Sequence, residues 1–249
     1  MNHPVVLITG ASRGIGAATA LRCARQGYDV AVNYVRDAPA AAAVAAQVRA
    51  LGRRAVCVAA DVSHEADVLR LFAAVDAELG PLLALVNNAG IVDVAARVDE
   101  MSSRRLTRMF GVNVLGSMLC AREAVRRMST KHGGAGGAIV NLSSAAARLG
   151  SPGQYVDYAA AKGAIDSFTL GLAREVAGEG IRVNAVRPGI IETDIHGSGG
   201  QRDRAAQLAP QVPMRRAGTA DEVAQAVVWL LSAAASYTTG AVIDVTGGR

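Results

Sequence analysis

Seven short apolar runs, separated by longer segments of helical spacing, leave this chain very few architectures. The runs are Val5–Thr9, Asp29–Tyr34, Ala55–Ala59, Leu83–Val86, Ala138–Leu142, Ile181–Val186 and Ala241–Val245. Their length and aliphatic content predict strands buried on both faces. Helices are predicted up to Gln26 after the first strand, then over Ala40–Leu51, Glu65–Leu79, Ser103–Ser129, Tyr155–Ala177 and Ala220–Ser232. Gly52, Gly80-Pro81 and Gly178 supply helix stops. Strands alternating with helices predict an α/β fold, a doubly wound, seven-stranded parallel sheet with helices on both faces. Right-handed crossovers place all strand C-termini on one edge, where such sheets bind ligands. No linker or internal repeat interrupts the pattern, so a single domain is expected over residues 1–249.

Composition narrows the function classes. Hydrophobic residues make up 51% but aromatics only 4%, so the core must be built from Ala, Val, Leu and Ile. The net charge of +5 is spread along the chain with no basic run longer than two, which argues against nucleic-acid binding. Only Lys131 and Lys162 among the basic residues are lysines. Cys23, Cys57 and Cys120 are scattered, as expected of core filler in a reducing, cytoplasmic setting. His3, His64, His132 and His196 form no metal pattern, so no metal is expected. No apolar run reaches the ~18 residues of a membrane span, and no signal peptide is read at the N-terminus.

The first strand runs into Thr9-Gly10-Ala11-Ser12-Arg13-Gly14-Ile15-Gly16 and then a helix. A pyrophosphate needs backbone N–H groups at close range and the positive end of a helix. Glycine permits both the turn and the approach. The spacing is G-x-x-x-G-x-G rather than G-x-G-x-x-G, and its position between strand and helix is what points to a Rossmann-type dinucleotide site. Cofactor choice is read at the second strand tip, Asn33-Tyr34-Val35-Arg36-Asp37. No acid stands at the tip to accept a ribose 2′-OH. Arg36, together with Arg13, suits a 2′-phosphate instead, so NADP(H) is the expected cofactor.

Tyr158 and Lys162 lie four apart on a predicted helix and share a face. Tyr has an ordinary pKa of about 10, too high for easy proton exchange near neutrality. A neighbouring ammonium favours the phenolate and brings that pKa down. Upstream, the fifth strand ends in Ser143-Ser144 on the ligand edge, where a hydroxyl can hold a substrate oxygen as it becomes an alkoxide. Taken alone, a Ser pair there also fits an ordinary turn or cap.

In this order and spacing the chain resembles the short-chain dehydrogenase/reductase family over nearly its whole length. The matched features are Thr9-Gly10-x-x-x-Gly14-Ile15-Gly16, Asp61-Val62, Asn87-Asn88-Ala89-Gly90, Asn113, Ser144, Tyr158-x-x-x-Lys162 and Pro188-Gly189 with Thr193. The resemblance implies that Tyr158 is the general acid and base, that Lys162 lowers its pKa and binds the nicotinamide ribose, and that Ser144 holds the substrate oxygen. It implies that Asn113 shapes the long helix and holds a water that relays protons to Lys162. Cofactor contacts are implied for Gly10, Ser12, Arg13, Gly14, Ile15, Gly16, Asn33, Arg36, Asp61, Val62, Asn88, Ala89, Gly90, Tyr158, Lys162, Pro188, Gly189 and Thr193. One departure stands out: Ser144 and Tyr158 are one residue further apart than is usual in the family, which keeps Ser143 open for the hydroxyl role.

The implied reaction is hydride transfer between the nicotinamide and a carbonyl/secondary alcohol pair. Sugar dehydrogenases and 3-oxoacyl-carrier-protein reductases are among the members it resembles. Glu179 stands where carrier-protein reductases tend to have a basic residue, which weighs against a carrier partner. The segment Ile190–Arg216 reads as a polar lid containing Glu192, Asp194 and His196. Small residues Ala159, Ala160, Ala164 and Gly171 suit close helix packing, and the family's habit implies a homotetramer. A cofactor-sensing protein without turnover is the competing reading, and retention of Ser144, Tyr158 and Lys162 counts against it.

Overall fold

A computed structural model describes residues 3–193 and 203–249. In chain order the elements are β1 (Val5–Ile8), α1 (Gly14–Arg25), β2 (Asp29–Tyr34), α2 (Ala38–Ala50), β3 (Ala55–Ala59), α3 (Glu65–Glu78) and β4 (Leu82–Asn87). Then follow α4 (Ser103–Phe110), α5 (Gly116–Met128), β5 (Gly137–Leu142), α6 (Ala146–Leu149), α7 (Val156–Val176) and β6 (Ile181–Pro188). The last are β7 (Ile191–Glu192), α8 (Arg204–Leu208), β8 (Gly218–Thr219), α9 (Ala220–Leu231) and β9 (Val242–Val245). Seven strands form one sheet in the order β3-β2-β1-β4-β5-β6-β9, parallel at every pairing. The doubly wound α/β sheet read from the strand–helix alternation is the fold observed.

Alternate residues of each strand feed opposite faces, as the two-residue strand repeat requires. Val6 and Ile8 pack with α1, α2 and α9 through Cys23, Val44, Val48, Val227 and Leu230. Val5 and Leu7 pack on the other face with α3, α5 and α7 through Leu71, Phe72, Cys120, Met128 and Val176. The strand order reverses between β1 and β4, so their loops leave in opposite directions and open a crevice at the sheet's C-terminal edge.

Four local features depart from the reading of the sequence. The run expected as one helix over 103–129 is interrupted by a π turn at Gly111–Leu115. Its cause is visible: the Asn113 amide donates to the Met109 carbonyl at 3.0 Å, competing for an acceptor that a regular α-helix assigns to the backbone. The short helix α6, expected as loop, lies between β5 and α7. The helix expected from Ala40 begins at Ala38, because the Asp37 carboxylate accepts from Ala40 N at 3.0 Å and caps it. A two-stranded ribbon, β7 with β8, joins the ends of the segment read as a lid. Asp194 and His196 of that segment lie outside the described residues.

Candidate active site

The glycine turn after β1 is cross-braced to its neighbours. Thr9 Oγ1 accepts from Asn88 N at 3.0 Å and Ala89 N at 2.9 Å. The Asn88 amide returns two hydrogen bonds, to the carbonyls of Thr9 at 2.8 Å and Gly10 at 3.0 Å. Gly10 sits at φ +63, and a Cβ there would stand 3.0 Å from the Ala89 backbone. At Gly16 a Cβ would be 2.6 Å from both Asn88 Nδ2 and the Gly10 carbonyl. Both positions therefore exclude a side chain. The N-cap of α1 is Arg13, which makes no side-chain cap bond, and the first turn carries no acid. The resulting N-terminus offers N–H groups and a positive dipole end beside a cradle that a side chain would fill, which fits a pyrophosphate.

The other sequence-assigned cofactor residues divide into those at the crevice and those behind it. Ser12, Gly14 and Ile15 are half-buried in the turn, and the Thr193 side chain stands over Gly14. Arg13 and Arg36 are exposed, while Asp37 is occupied at the α2 cap. Asp61 accepts from Ser63 N at 3.0 Å and Ser63 Oγ at 2.7 Å at the end of β3. Val62 is buried against Gly116. Asn33 lies deeper than the others. It is buried behind the turn, where its oxygen accepts from Gly10 N at 3.1 Å and its amide donates to the carbonyls of Tyr34, Val58 and Ala60. Those bonds brace the glycine turn from behind.

Next to this crevice a cavity of about 170 Å³ brings together Asn88, Gly90, Ser144, Tyr158, Lys162, Pro188, Gly189 and Thr193. Its outer wall is largely apolar, with Val92, Leu149, Tyr155 and Ile190. Tyr158 and Lys162 share a face of α7, the Lys162 ammonium lying 5.6 Å from the phenol ring centroid. Ser144 is hydrogen-bonded to Tyr158. Its Oγ also accepts from Ala146 N at 3.1 Å, so α6 orients this hydroxyl. Ser143, by contrast, is buried and donates to the Lys162 carbonyl at 3.2 Å. The structure thus separates the two serines that the sequence left open: Ser144 faces Tyr158 and Ser143 braces the helix. In the turn after α6, between the two residues, Ser151 adopts φ 47.

Lys162 is 4% exposed and donates to the Leu142 carbonyl at 2.6 Å. A Cβ on Gly90 would lie 3.6 Å from its nitrogen and 2.9 Å from Asn113 Oδ1, so three segments meet here. Asn113 is fully buried; its oxygen accepts from Ile91 N at 3.1 Å and its amide donates to Ile91 O at 3.0 Å. The π turn therefore pins the loop after β4 against the lysine. Burial pushes the Tyr158 phenol above its usual range, and the bond with Ser144 opposes this. Burial also brings the Lys162 ammonium down from 10.5 to about 8, against the pull of Asp166. Burial thus works against ionisation of the phenol, and the positive charges expected beside it, the Lys162 ammonium and an oxidised nicotinamide, would work in its favour.

Two ion pairs that sequence reasoning missed hold α7. Arg105 of α4 donates to Asp157 at 2.8 Å, and Arg187 of β6 donates to Asp166 at 2.9 Å. Their partners lie 52 and 21 residues apart, beyond any local pattern. Among the described residues no cluster of His, Cys, Asp or Glu could hold a metal, and no helix is long and apolar enough to cross a membrane.

With this geometry in view, comparison with known proteins is direct. A family model described as enoyl-(acyl carrier protein) reductase matches residues 10–249. The chain is 54% identical to the uncharacterized oxidoreductase YgfF of Escherichia coli over 98% of its own length and 99% of that protein's. It superposes on the 3-ketoacyl-(acyl-carrier-protein) reductase of Brucella melitensis complexed with NADH, with TM-score 0.91 and 34% identity, covering 99% and 98% of the two chains. A short-chain dehydrogenase from Burkholderia cenocepacia in complex with NADP gives TM-score 0.90 and 33% identity, covering 98% and 97%.

The buried lysine has a measurable signature. Its pKa is depressed on folding, so the unfolded chain holds the proton more tightly and protonation opposes folding below pH 8. That opposition fades as pH rises from about 8 to 10.5. At about 1.4 kcal/mol per pH unit it amounts to about 3 kcal/mol. Relative to wild type, Lys162→Met should therefore gain about 3 kcal/mol more in urea unfolding at pH 7 than at pH 10.5. A difference between the two proteins that is independent of pH would contradict the buried-ammonium assignment.

Proposed function

The chain belongs to the short-chain dehydrogenase/reductase family of oxidoreductases, and from that premise we propose that it is an NADP(H)-dependent enzyme moving a hydride between the nicotinamide and a carbonyl/secondary alcohol pair. The observation that carries this reading is the meeting of Ser144, Tyr158 and Lys162 in one cavity beside the braced glycine turn. The whole of residues 1–249 is taken to work as one domain.

A nicotinamide held in this crevice would supply or accept the hydride and, in its oxidised form, would add positive charge to the site. The chain's residues do the rest. In reduction, Tyr158 Oη gives its proton to the substrate oxygen as that oxygen gains electrons, and Lys162 stabilises the phenolate left behind. Ser144 donates a hydrogen bond to the same oxygen, a contact that strengthens as alkoxide character develops. In oxidation Tyr158 takes the proton back. Lys162 also holds a ribose hydroxyl. Asn113 acts by fixing Ile91 and the π turn, which keeps the lysine side of the cavity in place; it is also the residue to which we assign the relay water.

Cofactor binding is assigned to Gly10, Ser12, Arg13, Gly14, Ile15 and Gly16 at the pyrophosphate, Asp61 and Val62 at the adenine, and Asn88, Ala89 and Gly90 along the crevice. Pro188, Gly189 and Thr193 are assigned to the carboxamide end. Arg13 and Arg36 are exposed, no acid stands at the tip of β2 itself, and Asp37 beyond it is engaged at the α2 cap; this supports NADP over NAD. The mostly apolar outer wall supports a carbonyl compound with a hydrophobic arm. We place the enzyme in the cytoplasm, without nucleic-acid or membrane partners. We also propose a homotetramer, since the α4–α5 run leaves Phe110, Leu115 and Met118 exposed.

An NADPH-oxidation screen across ketones, aldehydes, quinones, oxo-sugars and acetoacetyl thioesters tests the activity. Tyr158→Phe should then lower kcat by about 10² or more with cofactor binding kept. Near-normal turnover would remove the proton-transfer role. Ser144→Ala should lower kcat far more than its effect on stability accounts for, while Ser143→Ala should act through stability; the reverse ranking would reassign the hydroxyl. KM for NADPH should be well below that for NADH, with Arg36→Ala narrowing the gap, and equal KM values would refute the NADP assignment. Light scattering on the purified protein should give four copies, and a clean monomer rejects the assembly.

A further inference from the structure

The ion pair behind Lys162 has no task in the proton transfer just described. Asp166 follows Lys162 by one helical turn on α7, so the two side chains share a face. Its carboxylate is only 15% exposed, and Arg187 of β6 grips one oxygen, Oδ2, with Nε at 3.0 Å and a terminal nitrogen at 2.9 Å. The other oxygen, Oδ1, is buried without a hydrogen-bond partner. A carboxylate left half-satisfied in this way keeps a strong local field. Arg187 is in turn divided between Asp166 and Asp244, the latter at 3.4 Å, so it does not cancel Asp166 alone. Asp244 also pairs with Arg148 on α6, the helix that orients Ser144.

The surroundings of Lys162 give this field an object. On its own helix stand the neutral phenol of Tyr158 and Asp166. From β5 come the Leu142 carbonyl and Ser143, and from the loop after β4 and the π turn come Gly90 and Asn113. Those groups are uncharged; the charged residues on the other elements around α7 and the cavity, among the described residues, include Arg187 of β6, Arg105 of α4 with its partner Asp157, and Arg249 on the cavity wall. Asp166 is thus the anion that offsets burial of the ammonium, and Arg187 reaches Lys162 only through Asp166.

Resting on the role given to Lys162 above, we propose that Asp166, clamped by Arg187, is a positioning residue that keeps the Lys162 ammonium charged inside the site. In this arrangement the two members of the pair act with opposite sign. Removing the anion makes the ammonium easier to deprotonate. Removing the guanidinium frees the full field of Asp166 and makes it harder. A purely structural pair would move both variants in the same direction, towards a looser and more ordinary lysine.

The chain offers a direct measurement, because Lys131 and Lys162 are its only lysines. In protein made with 13C-labelled lysine, two sets of side-chain resonances titrate, and Lys131→Arg leaves only that of Lys162. This reads the amine without cofactor, substrate or turnover, so its failure is distinct from failure of the proposed reaction. Wild type should titrate near 8. Asp166→Asn should lower that midpoint by about one pH unit, and Arg187→Gln should raise it by about half of one. The basic limb of the kcat/KM profile should move in the same two directions once a substrate is known. Shifts of the same sign in both variants, or a midpoint unmoved in Asp166→Asn with the fold intact by circular dichroism, would overturn the proposal. If Asp166→Asn fails to fold, the Arg187→Gln midpoint decides alone: a rise upholds the assignment and a fall or no change rejects it.

Discussion

A protonated amine enclosed by protein is the constraint around which this site is organised. Lys162 lies 4% exposed with its ammonium donating to the Leu142 carbonyl at 2.6 Å. That carbonyl belongs to the last residue of β5, so the lysine is tied to the strand tip from which Ser143 and Ser144 emerge. Ser143 closes the tie from the other side by donating to the Lys162 carbonyl. Helix α7 and strand β5 are therefore locked in register at the point where the chemistry is proposed. Burying a charge is tolerated only when its partners are fixed in advance, and the same fixing pre-organises Tyr158 one turn away.

The cofactor side obeys a related rule with backbone groups. Thr9, Gly10, Asn33, Asn88 and Ala89 come from the ends of β1, β2 and β4, and their hydrogen bonds cross the reversal in strand order. The crevice is thereby held open by side chains that spend their own polar groups on the scaffold. What is left facing the ligand is main chain, a bare helix N-terminus and the approach that Gly10 and Gly16 permit. The dianionic bridge proposed to bind here would meet main-chain N–H groups and a helix end, not a buried side-chain charge.

How much of this the sequence revealed depends on the range of the interaction. Strand–helix alternation is written in consecutive residues, and it led to the sheet and its order of elements. Tyr158 and Lys162 were legible because four residues on a helix make one face. Ser143 and Ser144 were not separable, because their difference lies in a carbonyl 19 residues on and in a helix, α6, too short to show a period. The π turn was hidden because its cause is an Asn side chain reaching back to residue 109, invisible to any pattern of apolar spacing. The bracing of Asn33 was hidden for the same reason, since its four backbone contacts are contributed by three separate segments.

The composition acquires a meaning at the site that it lacked in the sequence. Helix α7 carries acids immediately before Tyr158 and one turn after Lys162, and each is answered by an arginine from another element, Arg105 from α4 and Arg187 from β6. Asp157 also accepts from Tyr158 N at 2.9 Å, while Arg105 reaches the Val94 carbonyl at 2.5 Å. An arginine stays protonated at any pH the fold survives, so both clamps hold constant charge. A lysine in either place would titrate alongside Lys162 and blur the field it sits in. With lysine confined to positions 131 and 162, the cation meant to respond to protons in the site is set among cations that do not.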